Sequence, residues 1–322
     1  MSIRLSEVEA ARNRISGIVV RTPLLRLNTD AVLNHKDEVF LKEVFLKMES
    51  LQPIGSFKIR GAANAMNRAP RETIVRGVLT ASAGNMAQGV AYCARLFGIP
   101  ATVIAPDSAP ETKLRAVERM GGRIIQVPFD TWWRTFEERS FPGVDATFVH
   151  AFDDPDVMAG NGTIGLEILE DLADVDAVVI PWGGGGLACG IAPVLKALRP
   201  ATRIYAAECE TGAPLSASLT AGSPQIVDYR PSFVDGIASK TVFPGMLKEA
   251  QRLLEGSIVV TLDEAAAAIR LVAERARVIC EGAAACAVAA ALSGKAGRVK
   301  VVAILSGGNI DLSKFATLIT AP

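Results

Sequence analysis

Short apolar runs of strand length alternate with helical patterns along most of this chain, and that rhythm restricts it to an α/β architecture with parallel sheets. Runs at 77–81, 101–105 and 123–127 are each followed by a helical stretch, the first two helices ending near residues 97 and 120. The rhythm resumes with a long helix over 155–173, a strand at 176–181, a helix after Gly186 and a strand at 203–208. A last unit runs from helices between residues 262 and 292 to a strand at 300–305. No low-complexity linker divides the 322 residues, so two closely packed lobes are expected. The segment 74–152 can close on itself as a small inserted α/β lobe, with 1–73 and 153–322 forming the large one. The tandem Glu38-Val39-Phe40-Leu41-Lys42 and Glu43-Val44-Phe45-Leu46-Lys47 reads as one long strand or a hairpin, with no function attached.

Charge excludes several classes of partner. Thirty-four basic and thirty-four acidic side chains cancel, so there is no electrostatic footprint for nucleic acid or an anionic membrane, and small molecules are the expected ligands. The longest run of small apolar residues, 282–292, is too short to cross a bilayer. The five cysteines are odd in number and form no C-x-x-C pair, which reads as reduced core thiols and a cytoplasmic setting. The first residues, with no apolar core of signal-peptide type, agree with that setting.

Chemistry concentrates in one lysine and three loops. Lys58 lies in Gly55-Ser56-Phe57-Lys58-Ile59-Arg60-Gly61, where a helix opens after a glycine turn, with Ser56 as the expected N-cap. A lysine held there loses hydration, its pKa falls, and its amine becomes a nucleophile toward carbonyls. The alternative is a lysine that snorkels to solvent beside Arg60. Ser82-Ala83-Gly84-Asn85-Met86 falls at a strand-to-helix junction, where unpaired N–H groups suit a carboxylate; the alternative is that Ser82 and Asn85 only cap the helix. Gly183-Gly184-Gly185-Gly186-Leu187 occupies the next such junction and can wrap a phosphate. Glu208 stands where a ribose-binding acid would, but Cys189 replaces the third glycine of a dinucleotide fingerprint, and no P-loop pattern is present. Ser306-Gly307-Gly308-Asn309 again ends an apolar strand, so all three loops and Lys58 can face one cleft.

A lysine nucleophile, a phosphate cup and a buried hydroxyl are the needs of pyridoxal phosphate. The four motifs, in this order and spacing, resemble the two-lobed fold-type II pyridoxal-phosphate enzymes of the tryptophan synthase β type, and within them the threonine/serine dehydratase and serine racemase group. The similarity runs from Arg21-Thr22-Pro23-Leu24 to Asn309. The resemblance implies that Lys58 carries the cofactor and later acts as general base at Cα. It places Phe57 near the cofactor ring, Asn85 at its 3-hydroxyl, Gly183, Gly184, Gly185, Gly186 and Leu187 on the phosphate, and Ser306 at the pyridine nitrogen. Ser82, Ala83, Gly84, Asn85 and Met86 would clamp the substrate carboxylate, with Ser239 adding a polar contact. The implied reaction is conversion of a β-hydroxy amino acid to a 2-oxo acid and ammonia, by a homodimer.

The chain departs from its group in ways that set further expectations. Racemases resemble Ser-Ser-Gly-Asn where this chain has Ala83, and alanine cannot carry a proton, so elimination is expected over racemisation. Glu208 matches one ligand of the racemases' divalent-metal site, but Gly212 and Pro214 stand where others belong, and no metal requirement is expected. Met86 replaces a histidine usual in the dehydratases; with Phe152 and Trp133 of the tandem Trp132-Trp133 it suggests a bulkier substrate such as 3-phenylserine, the alternative for the two tryptophans being core packing. The chain ends soon after the Ser-Gly-Gly-Asn unit, so feedback regulation is not expected and a catabolic role is. Rival readings are a β-replacement enzyme on the same cofactor and a pyridoxal-phosphate-binding regulator without turnover.

Overall fold

The computed structural model describes residues 3–28, 43–297 and 299–320. Ten strands form two sheets: β1 (Leu24–Arg26), β2 (Glu43–Lys47), β3 (Val78–Ala81), β4 (Ala101–Pro106), β5 (Arg123–Val127), β6 (Thr147–Phe148), β7 (Ala177–Pro181), β8 (Arg203–Cys209), β9 (Gly256–Val260) and β10 (Lys300–Ile304). The larger sheet has the order β1-β2-β10-β7-β8-β9, the smaller β5-β4-β3-β6. Among the described residues only β1 pairs antiparallel, with β2.

The large sheet is covered on both faces, which is why its strands read as unbroken apolar runs. Ala177, Val179, Val301 and Ala303 pack into one cluster beneath the helices Leu262–Ala276 and Gly282–Leu292. Val178, Ile180, Val302 and Ile304 point to the opposite cluster, with the helices Pro155–Asp171 and Ala188–Leu198. Pro155 begins its helix at a position where a missing N–H costs nothing, and the Asp154 carboxylate accepts from the N–H groups of Asp156 (2.8 Å) and Val157 (3.2 Å).

Of the tandem 38–47, the second half is β2, a parallel partner of β10; its first half lies outside the described residues. The expected strands are present within one or two residues. The strand β9 and the helices Pro214–Ala221 and Pro244–Leu253 were not foreseen.

A buried ionic cluster ties the start of the lysine motif's helix to β2, to the turn Glu49–Leu51 and to the helix Pro155–Asp171. Arg60 is fully buried rather than solvated: its guanidinium grips Glu49 through Nε (2.9 Å) and Nη2 (2.8 Å), and reaches Glu167 through Nη1 at 2.6 Å. Lys47, also buried, donates to Glu167 and to the Thr22 carbonyl (2.6 Å), while the Thr22 hydroxyl donates to Glu49 (2.6 Å). Every charge in the cluster faces an opposite one, the condition under which buried ions are tolerated.

Candidate active site

The predicted loops all follow C-terminal ends of parallel strands: 82–86 after β3, 183–187 after β7 and 306–309 after β10. Lys58 joins them through backbone pairing. The Phe57 N–H donates to the Ser306 carbonyl (3.0 Å), and the Gly308 N–H donates to the Gly55 carbonyl (2.9 Å). Gly55 has φ +72°, and a Cβ there would lie 2.6 Å from Asn309 Oδ1, so the turn requires glycine.

Lys58 is the first residue of the helix Lys58–Arg68. Its N-cap is Phe57, with no side-chain cap; Ser56 is not the cap, because its backbone bridges to Gly307 one residue too early, and its buried hydroxyl has no partner. Lys58 Nζ sits 5.1 Å from the Phe57 ring centroid and donates to the Ala151 carbonyl at 2.6 Å. Burial lowers its pKa to about 8, against the opposing pull of the Glu281 carboxylate. The amine is therefore inside the cleft, not snorkelled to solvent.

The glycine tetrad is built from both sides. Among the described residues nothing accepts from the N–H groups of Gly183, Gly184, Gly185, Gly186 or Leu187, although the last three of these residues are buried. Five successive unpaired donors call for an anion there. Glycine is also needed for protein packing: a Cβ on Gly184 would lie 2.0 Å from the Phe152 ring.

At the 82–86 loop, the N–H groups of Ala83, Asn85 and Met86 likewise have no acceptor among the described residues. The helix Asn85–Phe97 has Gly84 as N-cap with no side-chain cap, so neither Ser82 nor Asn85 serves merely to cap it. The Ser82 hydroxyl accepts from the Gly84 N–H at 3.2 Å. Asn85 instead faces two partners: its Nδ2 donates to both carboxylate oxygens of Glu281 (3.0 and 3.1 Å), and its Oδ1 accepts from Asn309 Nδ2 at 2.7 Å. Asn309 Nδ2 also donates to the Ile54 carbonyl at 2.8 Å. Ser306 is buried, and its hydroxyl makes no hydrogen bond among the described residues.

Two predicted positions stand differently from the expectation. The Met86 side chain is buried in the cluster with Ile54, Ile59 and Val90, so only its N–H is offered to the cleft. The Ser239 hydroxyl is spent on the Thr241 carbonyl at 2.7 Å. Glu208 accepts from the N–H groups of Leu215 and Ser216, both at 2.8 Å, and from the Ser257 hydroxyl at 2.6 Å; it caps the helix Pro214–Ala221. Among the described residues no group of three or more His, Cys, Asp or Glu side chains could hold a metal ion.

Glu281 and His150 were missed from the sequence. Glu281 is buried at the N-cap of the alanine-rich helix Gly282–Leu292, and desolvation raises its pKa to about 7. A carboxylate immediately before an otherwise apolar helix is the one signal that could have flagged it. His150 Nδ1 accepts from the N–H groups of Phe152 (3.2 Å) and Asp153 (2.7 Å), which holds the loop carrying the Ala151 carbonyl. Burial, aided by the charges of Arg139 and Lys58, lowers its pKa to about 3, so the ring is neutral.

An amine poised for a carbonyl, an anion cup of bare amides, a second set of free N–H groups and a buried unpaired hydroxyl fit pyridoxal phosphate and an amino acid together. Comparison with known proteins agrees. An L-threonine ammonia-lyase of Thermotoga maritima is 40% identical over 98% of this chain and 78% of its own. A catabolic L-threonine dehydratase of Staphylococcus aureus is 36% identical over 98% of this chain and 92% of its own. Among solved structures, maize serine racemase superposes with a TM-score of 0.85 at 30% identity, covering 98% of this chain and 97% of its own. The processed form of threonine deaminase isoform 2 from Solanum lycopersicum gives 0.85 at 32% identity, covering 99% of this chain and 89% of its own. The family model described as pyridoxal-phosphate dependent enzyme matches residues 15–307, and the chain belongs to that family, with the fold-type II architecture its neighbours share.

Proposed function

We propose that the protein is a pyridoxal-phosphate-dependent ammonia-lyase that dehydrates a β-hydroxy-α-amino acid of the threonine/serine class to a 2-oxo acid and ammonia. The observation that carries this reading is Lys58, a part-buried amine on the Ala151 carbonyl with its pKa lowered to about 8, together with two sets of unpaired N–H donors and the Ser306 hydroxyl at the C-terminal ends of β3, β7 and β10. The named relatives that act on threonine support it.

Bound pyridoxal phosphate supplies an aldehyde for the substrate amine and a ring that draws electron density from Cα. The amides of 183–187 would hold its phosphate, Asn85 would meet its 3-hydroxyl through the second lone pair of an Oδ1 already fixed by Asn309, and Ser306 would meet its pyridine nitrogen. A neutral hydroxyl there stabilises a protonated ring less than a carboxylate would, which favours a reaction whose leaving group takes the electrons away. The N–H groups of Ala83, Asn85 and Met86 bind the substrate carboxylate and fix the direction of the Cα–H bond. Lys58 Nζ would take the Cα proton of the bound substrate. The Cβ–O bond would break with its electron pair on oxygen, and the departing hydroxyl would take up the proton that Lys58 Nζ has accepted from Cα, leaving as water. The released enamine tautomerises to an imine and one water hydrolyses it, so the net change is amino acid to 2-oxo acid plus ammonia.

Ala83 leaves Lys58 as the proton carrier at Cα, so little D-enantiomer should form from an L-substrate. In support of the two-lobe reading, 1–73 with 153–322 and 74–152, the four-stranded sheet comes wholly from residues 78–148. No helix among the described residues is long and apolar enough to cross a membrane; a cytoplasmic homodimer is the proposed working form. The test is release of ammonia and 2-oxo acid from a panel of β-hydroxy amino acids by the holoenzyme, with chiral analysis of the remaining substrate. Failure of every substrate to release ammonia would reject the lyase, and product gained only on adding a thiol would transfer the protein to the β-replacement class.

A further inference from the structure

Aromatic residues make up only 6% of the chain, yet several of them gather around His150. Two of the three tryptophans lie on the helix Phe129–Glu138, and they have separate roles. Trp132 packs against the small cluster of Leu79, Ile104 and Val127, with its indole N–H buried and unpartnered. Trp133 lines a cavity. Its ring stacks on Phe136 (centroids 5.7 Å) and meets Phe243 edge-on (6.3 Å). Phe136 continues to His150 (4.3 Å) and Phe152 (5.5 Å), and Phe152 meets Phe243 at 5.2 Å.

Four of these rings, Trp133, Phe136, His150 and Phe243, line an open cavity of about 380 Å³, whose wall is completed by Val242 and Pro244 and by polar groups that include Asp153 and Thr241. Two links join the wall to the reacting amine: His150, which lines the cavity, precedes Ala151, whose carbonyl accepts from Lys58 Nζ at 2.6 Å, and the Phe152 ring packs on Phe136 and Phe243. Phe152 also lies against Gly184 of the phosphate loop. A cavity of roughly 150 Å³ already holds benzene, so this one accommodates a phenyl group with room for solvent. The charged groups at its rim do not invite an acidic substituent: the Arg139 guanidinium is occupied by the Asp153 carboxylate (2.8 Å) and carbonyl (2.9 Å), and Glu137 would repel one.

We infer that this aromatic cavity is the subsite for the β-substituent, and that the preferred substrates carry an apolar, aryl-sized group at Cβ, with Trp133 and Phe243 as the specificity-determining side chains. The inference rests on the β-hydroxy amino acid lyase reading and narrows it. A methyl group would leave most of the cavity to water, whereas a phenyl ring would meet an edge from Phe243 and a face from Trp133.

The test compares kcat/KM of the holoenzyme for 3-phenylserine (both diastereomers), threonine and serine, in wild type, Trp133→Leu and Phe243→Leu. Phenylserine should exceed threonine by at least about tenfold in the wild type. Each variant should lower the phenylserine-to-threonine ratio by at least about fivefold. Two variants from different segments protect the test against one failing to fold. A wild-type preference for threonine, or an unchanged ratio in both variants, overturns the inference while leaving the lyase reading intact. Phenylalanine, which has no leaving group, supplies a readout without turnover: it should change tryptophan fluorescence in the wild type and much less in Trp133→Leu. Absence of that change in the wild type also overturns the inference, whatever the enzyme turns over.

Discussion

Lys47 and Lys58 lie eleven residues apart, both withdrawn from solvent, and only one of them is built to react. Lys47, with no exposed surface, is locked between Glu167 and the Thr22 carbonyl. Burial lowers its pKa, and the Glu167 carboxylate resists that change. Lys58 has a carbonyl for a partner and a carboxylate farther off, so burial dominates and its pKa falls to about 8. Burial alone does not make a nucleophile; burial without a salt-bridge partner does. The difference lies in the partner, since a carbonyl releases the amine to an incoming aldehyde and a carboxylate does not.

The largest effect should come from removing the reactive member. Lys58→Ala is expected to lower turnover by at least about 10³-fold and abolish the visible absorbance of bound cofactor, with thermal unfolding nearly unchanged. A variant that kept both colour and turnover would show that the two lysines had been assigned the wrong way round. The ionic cluster should fail in the opposite manner. Arg60→Met leaves Glu49 without its guanidinium partner and Glu167 with only Lys47, at a cost of about 3–5 kcal/mol, read as a lower urea midpoint. Its folded fraction should still bind cofactor.

How far this contrast was legible in the sequence depends on distance along the chain. The strand read at 123–127 is Arg123–Val127, and the loops after β3, β7 and β10 announce themselves through glycine, serine and asparagine where apolar runs stop. Those signals are local. Nothing local marks Arg60 as buried, because its partners, Glu49 and Glu167, are brought to it by the single 3-10 turn Glu49–Leu51 and by a helix more than a hundred positions away. Glu281 meets Asn85 across 196 positions, which no periodicity encodes. Met86 shows the converse: a residue inside a functional motif whose side chain serves the core while its N–H serves the site. The edge strand β9 was missed because five residues with one face only partly covered give a weak pattern.

Glu281 extends the comparison to carboxylates. Its folded pKa is raised to about 7 from the model-peptide range, chiefly by desolvation, so the native state keeps a proton that the unfolded chain gives up. The associated stability is fully present below about pH 4.5 and is lost as the pH rises through 7. Glu281→Gln retains a hydrogen-bond acceptor for Asn85 without the charge. Its stability relative to wild type should therefore grow between pH 5 and pH 8, by roughly 1–3 kcal/mol. Parallel unfolding curves at the two pH values check this, and a difference that shrinks with pH would mean that Glu281 is ionised more readily folded than unfolded.

The smallest expected effect couples the two halves of the site. Uptake of pyridoxal phosphate by the cofactor-free protein requires neutral Lys58, so its rate should fall about tenfold per pH unit below the Lys58 pKa and level off above about 8. The Glu281 carboxylate raises that pKa by favouring the ammonium form. Glu281→Gln should consequently move the midpoint of uptake to lower pH, by about one unit or less. Stopped-flow growth of the bound-cofactor absorbance measures it. A midpoint that moved upward would mean that Glu281 acts on Lys58 through the packing around Asn85 and Gly307 rather than through its charge, and the distinction between a lysine with a paired carboxylate and one with a distant carboxylate would have to be redrawn.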